Sequence, residues 1–163
     1  MPATNDRSSQ PRVRDFRPGD EIPFRRLNEA WLNKYFRVEP RDVELFDDPA
    51  GQFIAPGGAI LLLDVDGQTV GCCALINLGG GSHEIAKMAV AETHQGRGYG
   101  EMLMRAVIDR ARALGARRLF IETSSKLPVA ISLYRKLGFV DLSPDAVRPS
   151  EYARADVFME RWL

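Results

Sequence analysis

Apolar residues follow two rhythms along this chain. Ala59 to Val65 is a nearly unbroken apolar run, and after Asp66-Gly67 a second run extends from Thr69 to Leu78. An Asp-Gly pair between two such runs predicts a β-hairpin. Gly79-Gly80-Gly81 marks a second turn, and His83–Val90 reads as a third strand. From Gly98 to Leu114 the rhythm becomes helical. Leu103, Val107, Ala111 and Leu114 form one stripe, Glu101 and Arg105 make an i,i+4 pair, and Gly115 sits where helices usually stop. Arg117–Thr123 predicts a strand. Pro128–Leu137 predicts a helix, with Ala130, Leu133, Tyr134 and Leu137 on one face and Gly138 ending it. Phe139–Leu142 and Ala155–Trp162 read as the last strands.

The N-terminal part is less regular. Residues 1–11 are rich in Ser, Asn, Gln and Pro and read as a flexible tail, leaving 12–163 as a single domain. Val13–Phe16 predicts a short strand before Pro18-Gly19. Asp20–Phe36 predicts a helix with Pro23 in its first turn, a second short helix follows Pro40, and Pro49–Gly58 reads as a loop. Meander, then strand-helix-strand, then helix and strands makes the fold class α+β with a mixed sheet.

Composition narrows the function classes. Lys plus Arg and Asp plus Glu both number 22, so the chain lacks the overall charge that draws proteins to nucleic acid, and no nucleic-acid partner is expected. The longest apolar runs fall far short of the ~20 residues of a membrane span, and Met1–Arg12 lacks the apolar core of a secretory signal. The two cysteines, Cys72 and Cys73, are neighbours that would point to opposite faces of a strand. They predict core residues, no disulfide framework and a reducing, cytoplasmic setting. No Cys/His cluster has metal-ligand spacing, so no metal is expected.

The chemistry concentrates at Gln95-Gly96-Arg97-Gly98-Tyr99-Gly100-Glu101, where three alternating glycines join a strand to a long helix. Glycine permits the tight backbone path, and the first N–H groups of the helix have no internal partner, so the junction suits a phosphate or pyrophosphate. A dinucleotide fingerprint would need glycine where Glu101 stands, and a Walker loop would need Gly-Lys-Ser/Thr. Both common nucleotide motifs fail.

Gln95, Gly98 and Gly100 fit the pattern Q/R-x-x-G-x-G/A, and the sequence resembles the GNAT superfamily of acyl-CoA-dependent N-acetyltransferases. Two further segments carry the likeness. His83–Val90 resembles the family's fourth strand, and Ala130–Phe139 resembles its A-x-x-L-Y-x-x-x-G-F helix. The resemblance implies a mostly antiparallel sheet flanked by helices, with one parallel central pair, His83–Val90 and Arg117–Thr123, splayed like a V. It implies acetyl-CoA as cosubstrate. The pantetheine would lie along the backbone of Met88, Ala89 and Val90, and the pyrophosphate on amides of Gln95, Gly96, Arg97, Gly98, Tyr99, Gly100 and Glu101. An open ladder on a central strand is a liability that such a ligand would complete.

Transfer to an amine requires its neutral form, which for a lysine-type amine at neutral pH costs about 4–5 kcal/mol and for an α-amino group about 1–1.5 kcal/mol. A base is therefore useful for the first acceptor and dispensable for the second. By resemblance Glu84 is the candidate base, and strict alternation places it on one face with Met88 and Val90; a structural ion pair is the competing role. Tyr134 is the candidate acid for the departing thiolate, with core packing as its competing role. Leu127 stands where many relatives have Asn, and Ser124 or Ser125 are the substitutes at hand. His83 and His94 read as exposed or locally capped. Trp31, Tyr35, Phe36, Tyr152 and Phe158 are candidate acceptor-side aromatics, and Arg154 and Asp156 either meet a charged substrate or pair together.

The expected activity is acetyl transfer to a primary amine of a small molecule, peptide or protein. A non-catalytic acyl-CoA-binding module of the same fold is the alternative, and a homodimer is left open as an assembly.

Overall fold

A computed structural model describes residues 10–163. Most of the expected tail over 1–11 therefore lies outside the described residues. The elements run β1 (Arg12–Asp15), α1 (Glu21–Tyr35), α2 (Pro40–Asp47), β2 (Ala59–Val65), β3 (Gln68–Gly79), β4 (Ser82–Val90), α3 (Tyr99–Ala113), β5 (Arg118–Thr123), α4 (Pro128–Lys136), β6 (Val140–Leu142) and β7 (Val157–Trp162). The seven strands form one sheet in the order β1-β2-β3-β4-β5-β7-β6. Every pairing is antiparallel except β4 with β5.

The sheet separates two apolar clusters. One face packs Leu61, Leu63, Cys73, Ile85, Leu119 and Ile121 against Leu103, Val107 and Ala111 of α3 and Ile131 and Tyr134 of α4. The other packs Ile60, Leu62, Cys72 and Ala89 against Phe24, Leu27 and Leu32 of α1 and Leu45 and Phe46 of α2. Cys72 and Cys73 thus lie on opposite faces, both unbonded. Burial pushes both thiols up, Cys72 to about 12, so neither is a nucleophile at neutral pH.

The segment 49–58, read as a loop, contains a π-helical turn, Ala50–Ile54. Its Phe53 is fully buried, edge-on to the Phe24 ring at 5.8 Å. The turn is thus part of the second core.

The sharpest departure from the expected pattern is in β4. Ala86 stands opposite Ala74 and Ala89 opposite Cys72, so Lys87 and Met88 together face the single residue Cys73. Lys87 adopts a positive φ of 55° in this bulge. A bulge shifts every later side chain to the other face. Ile85 belongs to the α3–α4 cluster, and Met88 and Val90 pack against it, whereas Ala89 belongs to the α1–α2 cluster. Glu84, one residue before Ile85, points to the α1–α2 side. The expectation that Glu84 shares a face with Met88 and Val90 is therefore incorrect, because alternation does not survive the extra residue.

Candidate active site

Strands β4 and β5 pair only at Ser82–Arg118, His83–Leu119 and Glu84–Phe120. From Ile85 onward β4 has no neighbour on that side, and a gap opens between the two strands. Ala91 donates its N–H to the Val70 carbonyl on the β3 side at 2.7 Å. By the alternation of main-chain groups beyond the bulge, those of Ala89 also face β3, while those of Val90 face the gap. The side-chain amide of Gln95 reaches back to donate to the Val90 carbonyl at 3.0 Å.

Beyond Val90 the chain makes a short turn, Glu92–His94, and enters the glycine segment. Gly96 and Gly98 have φ of 76° and 81°, and a Cβ at either would meet nothing within 4 Å. Backbone conformation, not crowding, demands glycine there. Among the described residues, the backbone N–H groups of Gly96, Arg97, Gly98, Tyr99, Gly100 and Glu101 meet no protein acceptor; Met102 is the first to donate, to the Gly98 carbonyl at 3.1 Å. Free amides at a helix N-terminus are donors of the kind that suit an anion. Glu101 turns its carboxylate away to Lys136 at 2.8 Å and Arg105 at 3.2 Å.

Tyr134 lies on the α3–α4 side, buried in the first cluster, with its ring 6.3 Å from that of Phe139. Burial, with the Cys73 thiol adding to it, raises the phenol above its ordinary value, so the hydroxyl stays protonated. Glu84 lies on the opposite side. Burial pushes its carboxyl up to about 8, and the nearby Glu122 carboxylate adds to this, against a smaller opposing effect from the Lys87 ammonium. Among the described residues Glu84 has no hydrogen-bond or ion-pair partner. Glu122, two residues beyond Phe120 on the same face of β5, accepts a hydrogen bond from Ser150 Oγ at 2.8 Å, and burial raises its carboxyl also.

On the α1–α2 side of the sheet four residues, Asp42, Lys87, Asn28 and Glu122, are not signalled as site residues by the sequence. Asp42, fully buried in the first turn of α2, binds the ammonium of Lys87 and a two-pronged Arg154 guanidinium at 2.8 and 2.9 Å. Asn28 in α1 takes the Trp31 indole N–H at 3.0 Å and fixes that ring. The fourth is Glu122 itself. The only signal was Lys87: strict alternation would have buried it beside Ile85, a conflict that a bulge resolves.

Arg154 and Asp156 do not pair with each other. Arg154 serves Asp42 and Glu39, and Asp156 accepts the Ser125 N–H and hydroxyl, each at 2.7 Å. Ser124 accepts the Lys126 N–H, so both candidate substitutes for the absent Asn are engaged locally. His83 is buried, not exposed, and neither ring nitrogen has a partner. His94 is locally capped by Thr93 Oγ1 at 2.8 Å. Arg154 lies over the rings of Tyr152 and Trp31, and Lys126 over that of Phe36; Phe158 stacks on Phe120, and Tyr35 is exposed.

Over residues 24–139 the sequence matches the profile described as the acetyltransferase (GNAT) family. It is 40% identical over 79 residues to the IAA acetyltransferase of Azospirillum brasilense, a stretch covering 48% of this chain and 52% of that protein. In this and a second curated relative, from Escherichia coli, the chain spans about half of the relative's length. A GNAT-family acetyltransferase structure from Staphylococcus aureus Mu50 has a TM-score of 0.86 at 16% identity, covering 94% of this chain and 99% of that one. N-acetylglutamate synthase from Neisseria gonorrhoeae, complexed with coenzyme A and N-acetyl-glutamate, has a TM-score of 0.73 at 24% identity, covering 94% of this chain and 35% of that one. At these identities the structural likeness is one of fold.

Proposed function

The chain belongs to the acetyltransferase (GNAT) family, and from that premise we propose that it transfers an acetyl group from acetyl-CoA to a primary amine of a small molecule, peptide or protein by direct attack. One observation carries this reading: the unpaired edge of β4 leads straight into six acceptor-free amides. The residues present fit the cosubstrate. A pyrophosphate is met by N–H groups from Gly96 to Glu101, and an extended amide-bearing arm by the main chain of Met88 and Val90.

Acetyl-CoA supplies a thioester whose carbonyl carbon accepts a nitrogen nucleophile and releases a thiol. On the α1–α2 side Glu84 takes the proton that makes the acceptor amine nucleophilic. A carboxyl near 8 is matched to this task at neutral to mildly alkaline pH. On the α3–α4 side the Tyr134 hydroxyl, held protonated, donates to the departing sulfur. Lys87, Arg154 and Arg41 are each paired with carboxylates, so the unneutralised charge beside Glu84 is negative. That charge favours approach of the acceptor as an ammonium, with deprotonation at Glu84. The buried thiols of Cys72 and Cys73 suit a cytoplasmic setting.

The test is thiol release from acetyl-CoA across a panel of amines, with coenzyme A binding measured in parallel by calorimetry. Turnover with at least one amine is expected. Tight coenzyme A binding with no turnover on any amine would instead favour a non-catalytic acyl-CoA-binding module.

A further inference from the structure

Between Glu84 and the α2 helix lies a charged assembly that touches neither the glycine segment nor Tyr134. Its centre is Asp42, whose carboxylate receives four donors. Oδ2 accepts the Glu39 N–H at 2.9 Å and Arg154 Nη1 at 2.9 Å; Oδ1 accepts Arg154 Nη2 at 2.8 Å and the Lys87 ammonium. Asp42 is 0% exposed. The Glu39 bond is half of a reciprocal cap on α2, so the carboxylate cannot turn without undoing the helix start. Arg154 in turn binds Glu39 at 3.1 Å, so one carboxylate joins β4, α2 and the connection from β6 to β7.

Lys87 is placed there by the bulge. A lysine at positive φ is a strained backbone conformation, and here it directs the side chain to the Glu84 face. The ammonium meets Asp42 and, at 3.4 Å, the Tyr152 hydroxyl, and it makes no bond to Glu84. Among the described residues, Glu84 is a carboxylate on this side of β4 with no hydrogen-bond or ion-pair partner. The charged and titratable groups around it are Lys87 on β4, Glu122 on β5, Arg41 and Asp42 on α2, and Glu151, Tyr152 and Arg154 on the β6–β7 connection. Arg41 is occupied by Glu44 and Glu151, and Arg154 by Asp42 and Glu39. Lys87, on the same strand face, is the cation whose release would neutralise Glu84.

We infer that Asp42 is a positioning residue whose buried carboxylate holds the Lys87 ammonium away from Glu84, keeping Glu84 free to accept a proton from the incoming amine. The inference rests on Glu84 as the base. Opposite charges on one strand face in a partly desolvated site attract strongly, so an ammonium without Asp42 turns to the remaining unpaired carboxylate. Glu84 would then be a structural ion-pair partner and a poorer base.

The experiment is kcat against pH, with acetyl-CoA and amine both saturating, for the full-length protein and four variants. In Asp42→Asn the acid limb is expected to move at least one pH unit toward acid, with a lower plateau. In Asp42→Asn/Lys87→Met, which removes both charges, the limb returns to the wild-type position or above it. Lys87→Met alone leaves the limb in place or moves it toward alkaline pH, because a distant positive charge has been removed. A merely structural Asp42 would lower kcat at all pH values without moving the limb, and that result overturns the proposal. Should Asp42→Asn fail to fold, Lys87→Met decides, since an acidward shift there contradicts the arrangement. Glu84→Gln separates the two levels. If its profile matches wild type, the base role falls and the inference falls with it. If its profile changes while Asp42→Asn leaves the limb unmoved, only the positioning role is lost.

Discussion

Glu84 of β4 stands in register with Phe120 of β5, and this is the last rung the two strands share. Beyond it the strands part, and Glu84 marks the bottom of the opening. Its carboxylate lies on the α1–α2 side, whereas Tyr134 lies on the α3–α4 side. The two candidate proton-transfer groups thus lie on opposite faces of the sheet, as the proposed separate roles toward acceptor and leaving sulfur require.

With Glu84 as the proposed base, its raised carboxyl is expected to set the pH dependence of turnover. A base acts only when deprotonated, so kcat should fall as pH drops below about 8. Glu84→Gln should lower kcat by about 10²-fold at pH 8 and remove this limb, leaving a rate that rises with free amine toward alkaline pH. A wild-type-like pH–rate profile in the variant would return Glu84 to a structural role.

The same shift predicts a stability effect of defined sign. A carboxyl raised in the folded state contributes stability below its unfolded value near 4.5, and loses it as pH rises through about 8. Glu84→Gln should therefore flatten the fall in Tm between pH 5 and 9, and raise Tm at pH 9 by about 2–4 °C. Thermal unfolding across that range reads the difference directly.

Tyr134→Phe keeps the buried ring and its contact with Phe139 while removing the hydroxyl. Turnover should drop by about 10²-fold with little change in acetyl-CoA affinity. Steady-state kinetics beside calorimetry separates the two quantities, and equal turnover would assign Tyr134 to packing alone.

Gly98 and Gly67 offer a matched pair. Both have positive φ, 81° and 74°, and neither would crowd a Cβ. Alanine at either site should cost about 1 kcal/mol or more of backbone strain. At Gly98 the strain falls on the free amides, so coenzyme A affinity should weaken about tenfold; at Gly67, in the β2–β3 turn, only Tm should change. Equal coenzyme A affinities would detach the glycine segment from anion binding.

Phe53→Ala tests the turn between α2 and β2. The ring is fully buried against Phe24, so its removal should destabilise the protein by about 3–5 kcal/mol, measured by urea unfolding. An effect below 1 kcal/mol would make the turn a surface loop.

Elements with a local cause were visible in the sequence. The Asp66-Gly67 hairpin, the α3 stripe and the glycine stops all follow from backbone preference or side-chain period, and their observed limits differ from expectation by one or two residues. The family likeness was visible for the same reason, since its motifs are short and contiguous. The Lys87 bulge was not visible, because lysine carries no preference for positive φ and the distortion arises from pairing with β3. Asp42 and Glu122 were missed because their meaning depends on residues 45 and 38 positions away, Lys87 and Glu84. For His83 the polar residue type suggests an exposed or locally capped ring, whereas its strand position buries it.

Because the sheet keeps its two apolar clusters apart, the protein has two halves that can be altered separately. Residues of α2 and of the β6–β7 connection pack on the face of the sheet opposite α3 and α4, and changes at sites separated in this way combine nearly additively. If the proposed division of labour holds, such a chain can acquire a new acceptor by remodelling one layer while the other keeps the same cosubstrate. Directed evolution toward a chosen amine should therefore begin on α1, α2 and the β6–β7 connection, and leave the opposite layer untouched.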